Sequence, residues 1–194
     1  MSALLAQISC AGESVRYARL AEDSADALNL REAADAWLTA AGLGCTDAEV
    51  AAHYLRGLVA ARGAYAAGGS PESLEPVTQA IEALEARGAN TPGLAQVAKY
   101  VLLAASAAAQ SQRDAMALWL EHAVQLERIQ LEARQRLPGA TAHEVAGDLY
   151  LQVHRYDEAR AAYERAAARL GMTPRIRAGL EQAAARQKAT PPQR

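Results

Sequence analysis

Apolar residues recur along this chain at spacings of three and four, with clusters of glycine, proline and polar residues between the runs. Spacings of three and four place side chains on one face of a helix, and such clusters are typical of helix ends. The pattern therefore predicts helices throughout and no strand. The nine predicted helices cover residues 13–27, 30–41, 47–67, 71–87, 93–110, 112–136, 141–153, 156–170 and 174–187.

The composition supports an all-helical fold. Alanine fills 49 of the 194 positions, phenylalanine is absent and β-branched residues are few. Alanine has the highest helix propensity of all residues. The net charge of -2 predicts no particular partner, but residues 1–97 carry -6 and residues 98–194 carry +4. These two halves either orient a partner or are ordinary solvated faces.

The most regular pattern lies in residues 142–168, which read AHEVAGDLYLQVHRYDEARAAYERAAA. Small and aromatic residues alternate there at helical spacings. They are Gly147, Tyr150, Tyr156, Ala159, Tyr163 and Ala166. The segment resembles one unit of the tetratricopeptide repeat, a helix-turn-helix module. In such a module small residues let the paired helices approach closely, and aromatic residues fill the spaces between them.

Earlier predicted helices carry spacings of four and three like those of the repeat's second helix. The matching triplets are Ala33, Trp37 and Ala40; Val77, Ile81 and Leu84; and Met116, Leu120 and Ala123. The period is near 42 residues, against 34 for the standard repeat. The resemblance implies a single all-α domain over residues 1–188. It also implies that this domain is a short right-handed solenoid of about four antiparallel helix pairs with a closing helix. Residues 189–194 are predicted to be a disordered tail.

The closing helix, residues 174–187, has one apolar and one polar face. The apolar face consists of Ile176, Leu180 and Ala184, and the polar face of Arg175, Arg177, Glu181 and Arg186. Because the end of a repeat array has to be covered, we expect this helix to cap the last pair. The alternative is a functional role for its arginines.

The family resemblance also implies a concave groove lined by the first helix of each pair, which binds a protein or peptide. The groove positions that it assigns here are Glu22, Asp26, Val101, Ala105, Ala108, Glu144, Asp148, Leu151 and Gln152. Such a groove is acidic at both ends and apolar in its centre. The expected partner is therefore a segment with Lys or Arg flanking apolar residues.

Several alternatives to this scaffold remain open from the sequence. One is a structural subunit of a larger or self-assembled complex, and another is a secretion-type chaperone. Trp37 falls on a core position, whereas Trp119 lies one residue before its anchor and either packs on a neighbouring helix or is an exposed contact. Eight basic residues between 155 and 188 also allow contact with nucleic acid, although acidic residues interrupt them.

The chain carries no pattern that indicates catalysis or a cofactor. Its four histidines lack metal-ligand spacing, and neither a Gly-x-Ser-x-Gly motif nor a phosphate-binding loop is present. One of them, His154, occupies a turn where the family usually has glycine. We therefore expect a non-enzyme without metal, cofactor or small-molecule substrate.

The cysteines and the amino-terminal segment bear on location. Cys10 and Cys45 do not indicate a disulfide framework. Residues 1–10 do not form a signal peptide, and they match a lipoprotein cleavage site poorly. No apolar run suits a membrane span. We expect a cytoplasmic protein, and a periplasmic protein whose leader has been removed is the alternative.

Overall fold

A computed structural model describes residues 10, 12–26, 29–45, 48–87, 92–133, 135, 137 and 139–189. These ranges contain helices and no strand. The helices are α1 (Ser14–Asp26), α2 (Leu30–Gly42), α3 (Ala48–Ala66), α4 (Pro71–Arg87), α5 (Pro92–Ala109), α6 (Arg113–Glu132), α7 (Ala142–Gln152), α8 (Tyr156–Leu170) and α9 (Pro174–Ala189). The prediction of an all-helical chain is confirmed. The largest difference is at α6, which ends four residues before the predicted boundary.

Polar side chains cap the start of two helices. Ser70 precedes Pro71 at the start of α4, and its hydroxyl accepts the backbone N–H of Ser73 at 3.3 Å. The side chain of Asn29 accepts from the N–H of Glu32 at the start of α2. These contacts satisfy backbone N–H groups that lack a partner within the helix.

The chain divides into two compact units, residues 1–142 and residues 143–194. The single domain over residues 1–188 stays a prediction, and each unit is described here by itself. Helix α9 continues to Ala189, while residues 190–194 of the predicted tail lie outside the described part of the chain.

In the first unit, successive helices pack on one another. Helix α1 packs on α2, α2 on α3, α3 on both α4 and α5, and α5 on α4 and α6. The largest fully buried side chains of its core include Trp37, Tyr54 and Leu102. Trp37 was predicted to be a core residue, which is confirmed. Gly57 faces Leu102 so closely that a methyl group at Gly57 would overlap the leucine side chain.

Two hydrogen bonds hold the segment after α6 onto this unit. The hydroxyl of Tyr54 on α3 donates to the carbonyl of Ala140 at 2.7 Å. The carboxylate of Glu127 on α6 is buried and accepts the N–H of Ala142, the last residue of the unit, at 2.6 Å. Both bonds are buried, where an unsatisfied polar group would cost most.

The second unit consists of α7, α8 and α9 around Tyr163. Its ring packs with Ala166 and Ile176, while Leu170 and Leu180 lie against this cluster. The predicted apolar face of α9 is therefore confirmed at Ile176 and Leu180. One residue of the predicted polar face is different: Arg175 is buried and pairs with Asp148.

The turns inside three helix pairs have the same structure at equal intervals. Gly68, Ser111 and His154 are 43 residues apart, and each has positive φ, at 81°, 61° and 62°. In each turn the N–H of the next residue bonds to the carbonyl five positions back. The bonds are Gly69 to Ala64 at 2.8 Å, Gln112 to Ala107 at 2.9 Å and Arg155 to Tyr150 at 2.8 Å. This is the Schellman arrangement that ends many helices, and left-handed backbone explains why glycine is usual at such a position.

Burial in the second helix of these pairs follows the same interval and corrects one anchor. Val77, Leu120 and Tyr163 are buried, and so are the alanines three residues later. These alanines are Ala80, Ala123 and Ala166. Ile81, which the spacing placed at the aromatic position of its pair, is only half-buried. The equivalent position is Val77, because it follows Gly68 by nine residues, as Leu120 follows Ser111 and Tyr163 follows His154. The anchors Ala33, Ala40 and Ala159 are buried as well, while the anchors Tyr150 and Tyr156 are half-buried.

The cysteines also differ from the expectation. Cys10 and Cys45 form a disulfide bond, with their Cα atoms 4.3 Å apart. Cys45 is buried in the turn between α2 and α3. The bond ties Cys10, four residues before the start of α1, to this turn. The spacing of 35 residues gave no indication of the pairing, because it depends on how α1 and α2 pack.

Candidate protein-interaction surface

The predicted apolar centre of the groove is buried. Val101, Ala105 and Ala108 on α5 have relative exposures of 0%, 2% and 1%. Side chains at this depth are not available to a partner, so their assignment to an open groove surface does not match the structure. These residues were assigned to the groove because of their positions in the family's repeat. Which face of an alanine-rich helix is buried depends instead on the helices that pack against it.

The predicted acidic residues of the second unit form internal contacts. Asp148 accepts the hydroxyl of Tyr163 at 2.5 Å and pairs with Arg175. Glu144 is buried and accepts the hydroxyl of Thr173 at 3.1 Å. The Asp148 carboxylate therefore links α7 to α8 and α9, and the Glu144 carboxylate links α7 to the residue before α9. This is a structural role instead of the predicted partner contact.

The other predicted groove residues are half-buried or have side chains outside the described part of the structure. Leu151 lies against the Tyr163 cluster, and Gln152 is half-buried. Glu22 on α1 is half-buried and takes part in a polar interaction within the chain. The side chain of Asp26 lies outside the described part of the structure. The groove residues that can be placed do not form one exposed surface.

A cluster of three rings lies where α5 packs on α6. The rings of Tyr100 and Trp119 are stacked, with centroids 5.6 Å apart and an angle of 15° between their planes. The ring of His122 lies 5.6 Å from Tyr100 and 6.0 Å from Trp119. Tyr100 and Trp119 are half-buried and His122 is exposed. Trp119 thus both packs on a neighbouring helix and contributes to the surface. We call these three residues the aromatic cluster.

Large apolar side chains on α6 extend this surface. Leu118 and Ile129 have relative exposures of 51% and 52%. They belong to a row at spacings of four, three and four that also contains His122 and Gln125, and all four residues are exposed. Such spacing places them on one side of the helix. We call this row the α6 outer face. It joins the aromatic cluster at His122.

Acidic residues follow one side of the α6 outer face. Asp114, Glu121 and Glu132 are exposed, and helical geometry places them along the edge away from Trp119. We call them the acidic edge. Within the described part of the chain none of the three belongs to an ion pair. Glu121 accepts a hydrogen bond from Gln125 at 3.2 Å. Arg128 lies beside the edge, so these four residues carry a formal charge of -2.

The basic residues of the second unit are partly neutralised. Arg155 pairs with Glu158 at 2.5 Å. Burial is the largest single contribution to the pKa of Glu158 and raises it, but the hydrogen bond from Arg155, a backbone hydrogen bond and the charge of Arg155 together lower the pKa below its usual value. Arg160 lies 3.7 Å from Asp157, and Arg175 is buried. These pairings interrupt the basic residues of the described second unit, whereas a surface that follows a phosphate backbone carries unpaired positive charges.

The described residues contain no group of three or more His, Cys, Asp or Glu side chains placed to hold a metal ion. Burial lowers the pKa of His53, with smaller contributions from Glu49, which raises it, and from Arg87 and Arg56, which lower it. Glu49 forms an ion pair with Arg87. The side chains of His53, Glu49 and Arg87 lie where α3 packs on α4. The packing of these two helices therefore explains their arrangement.

Among the helices of the described ranges, none combines the length and apolar character needed to cross a bilayer. A scan against protein-family models, a search of curated proteins and a search of solved structures each found no match.

Proposed function

We propose that this protein is a non-catalytic helical-repeat scaffold that binds a segment of a partner protein on the α6 outer face and the aromatic cluster. The observation that carries the proposal is the exposure of Leu118 and Ile129 beside the stacked rings of Tyr100 and Trp119. Large apolar and aromatic side chains that are exposed together are typical of protein contact sites. Tryptophan and tyrosine are enriched among the residues that dominate such contacts.

We further propose that the helix pairs are degenerate tetratricopeptide-like repeats in a short right-handed solenoid. Two observations support this. The Schellman turns recur at intervals of 43 residues, and the buried positions of the second helices recur at the same interval. Packing of α3 on both α4 and α5 is also typical of repeats whose first helices lie side by side. Scaffolds of this kind bind other proteins with side chains from several helices.

The disulfide bond supports an oxidising compartment for this scaffold. Disulfides persist in secreted and periplasmic proteins and are rare in the cytosol. Of the two locations expected from the sequence, the pairing of Cys10 with Cys45 therefore favours the periplasm over the cytoplasm. The sulfur of Cys10 is also then unavailable for lipid attachment.

Peptide display on the immobilised protein tests the binding function. We expect selected peptides to bind the unaltered protein and to lose at least tenfold in affinity to Leu118→Glu. Leu38→Glu is the matched control, because Leu38 on α2 is also an exposed leucine, at 37%. Circular dichroism of both variants checks that each stays folded.

Two outcomes would contradict the proposal. Peptides that bind Leu118→Glu and the unaltered protein equally would place the site elsewhere. If no peptide is selected and light scattering shows a stable oligomer, the alternative of a structural subunit is favoured. A secretion-type chaperone stays a specialised form of the proposed function, since it also binds a protein segment.

A further inference from the structure

We propose that the partner segment is a basic amphipathic helix, an inference that rests on the proposed function of the α6 outer face. Two features of this face identify the partner: the spacing of its exposed apolar residues, and the charge along one side of them. Each feature limits the class of partner segment that can bind.

The spacing favours a helical partner. Leu118, His122, Gln125 and Ile129 follow one another at four, three and four residues, which is the spacing of the contact positions in paired helices. From Leu118 to Ile129 the row is about 16 Å long, given a rise of about 1.5 Å per residue. A partner helix of three turns or more, with leucines at the same spacing, covers both exposed apolar residues. It also reaches Trp119 at the border with α5.

The charge favours a basic partner. Asp114, Glu121 and Glu132 are spread over five turns of α6, so the acidic edge is longer than the apolar row. None of the three is neutralised by an ion pair within the described residues, and Arg128 leaves this side of α6 with a formal charge of -2. A helix with Lys or Arg on the side that meets this edge gains favourable contacts over its whole length. A helix with acidic residues there is repelled.

The same charge disfavours a second copy of α6 as the occupant. In an antiparallel symmetric pair, equivalent sides of the two helices face each other, so one acidic edge would meet the other. Like charges at such positions destabilise helix pairing. A partner with the opposite charge on its edge avoids this repulsion.

Two synthetic helical peptides of 21 residues test the inference on the full-length protein. Both have leucines at alternating spacings of four and three, and they differ only in carrying arginine or glutamate at the edge positions. Binding is measured by tryptophan fluorescence, to which Trp119 responds while Trp37 stays buried in the core, and by calorimetry. At low salt we expect the arginine peptide to bind about tenfold more tightly or better, and the difference to shrink as salt rises.

A charge reversal on the protein supplies the control. The triple variant Asp114→Lys, Glu121→Lys and Glu132→Lys is expected to prefer the glutamate peptide. The matched variant Glu72→Lys, Glu75→Lys and Glu82→Lys changes three exposed acidic residues of α4 instead, with the same change in net charge. It is expected to keep the preference for arginine. Equal binding of the two peptides, or the same behaviour of both triple variants, overturns the proposal.

The remaining outcomes separate this inference from the proposed function. If displayed peptides bind in a Leu118-dependent manner but carry no basic edge, the α6 outer face is a binding site and the inference about charge is wrong. If neither synthetic nor displayed peptides bind, both are wrong. Self-association that Leu118→Glu abolishes in sedimentation assigns the face to a second copy of this chain, which also overturns the proposal.

Discussion

The ring of Tyr163 lies directly against Gly179, so that α8 and α9 leave no space there for a methyl group. On its other side, the same ring lies against Gly147 of α7, where an added Cβ atom would be 2.5 Å from Cε1. One aromatic side chain thus fills the space between three helices, and two glycines make that space available.

Gly179→Ala tests this packing. A methyl group at this position overlaps the ring of Tyr163, and overpacking of a core costs about 1–3 kcal/mol. We expect a corresponding loss of stability of the second unit in chemical denaturation. The control is Gly63→Ala in α3, where nothing lies within 4 Å of an added Cβ atom. Because alanine favours a helix over glycine, the control should stabilise by about 0.5–1 kcal/mol. Destabilisation by both variants alike would show that the ring is not the cause.

Asp148→Asn tests the polar contacts around the same ring. Asparagine can still accept the hydroxyl of Tyr163, but it removes the negative charge that pairs with the buried guanidinium of Arg175. Removal of one member of a buried ion pair costs about 3–5 kcal/mol. Because Asp148 is partly exposed, we expect Asp148→Asn to cost about 3 kcal/mol or less. The exposed pair of Arg160 and Glu164 is the control, and Arg160→Gln should change stability by less than about 1 kcal/mol. Equal thermal shifts for the two variants would contradict the structural role of Asp148.

Gly69→Ala and Gly68→Ala separate backbone strain from close packing in one turn. Both glycines have positive φ, at 70° and 81°. A Cβ atom at Gly69 would overlap the carbonyl of Ala109, whereas one at Gly68 would meet nothing within 4 Å. Left-handed backbone costs alanine about 1–2 kcal/mol in either position. We expect Gly69→Ala to be the more destabilising by at least a further ~1 kcal/mol, measured by thermal unfolding. A larger effect of Gly68→Ala would show that the turn between α3 and α4 does not lie against the end of α5.

Reduction tests the disulfide bond. Cys10 and Cys45 are 35 residues apart in sequence. Cross-linking a loop of this length stabilises a protein by about 3–4 kcal/mol in the chain-entropy account. We expect reductant to lower the midpoint of denaturation of the unaltered protein. The variant Cys10→Ser with Cys45→Ser should have the lower midpoint already and should not respond to reductant. An unchanged midpoint, together with alkylation of both thiols before reduction, would show that the bond does not form.

The helices could be predicted from the sequence because their limits are set locally. Glycine and proline clusters mark the ends, and Ser70 with Pro71 begins α4. The burial of Tyr163 and Trp37 was also predictable, since their spacing to neighbouring alanines is that of a packed helix pair. These features depend on residues a few positions apart.

Contacts between residues distant in the sequence, and the proposed binding surface, could not be predicted in the same way. Asp148 and Arg175 are 27 residues apart, and their pairing depends on how α9 packs. Glu127 likewise meets Ala142 only after the chain has turned back on α6. The row from Leu118 to Ile129 is visible in the sequence, but an apolar row that faces solvent has the same spacing as one that faces the core. Family positions alone placed the groove on alanines that are in fact buried.

Site-specific photo-crosslinking in the protein's own cells tests the central claim most directly. A photoreactive amino acid is placed at Leu118 on the α6 outer face and, in a separate variant, at Leu38 on α2, two exposed leucines of the same unit. We expect irradiation to link position 118, and not position 38, to one partner protein through a segment rich in Lys or Arg. Crosslinks at position 38 in place of position 118, or none at either position, would contradict the assignment of partner binding to this face.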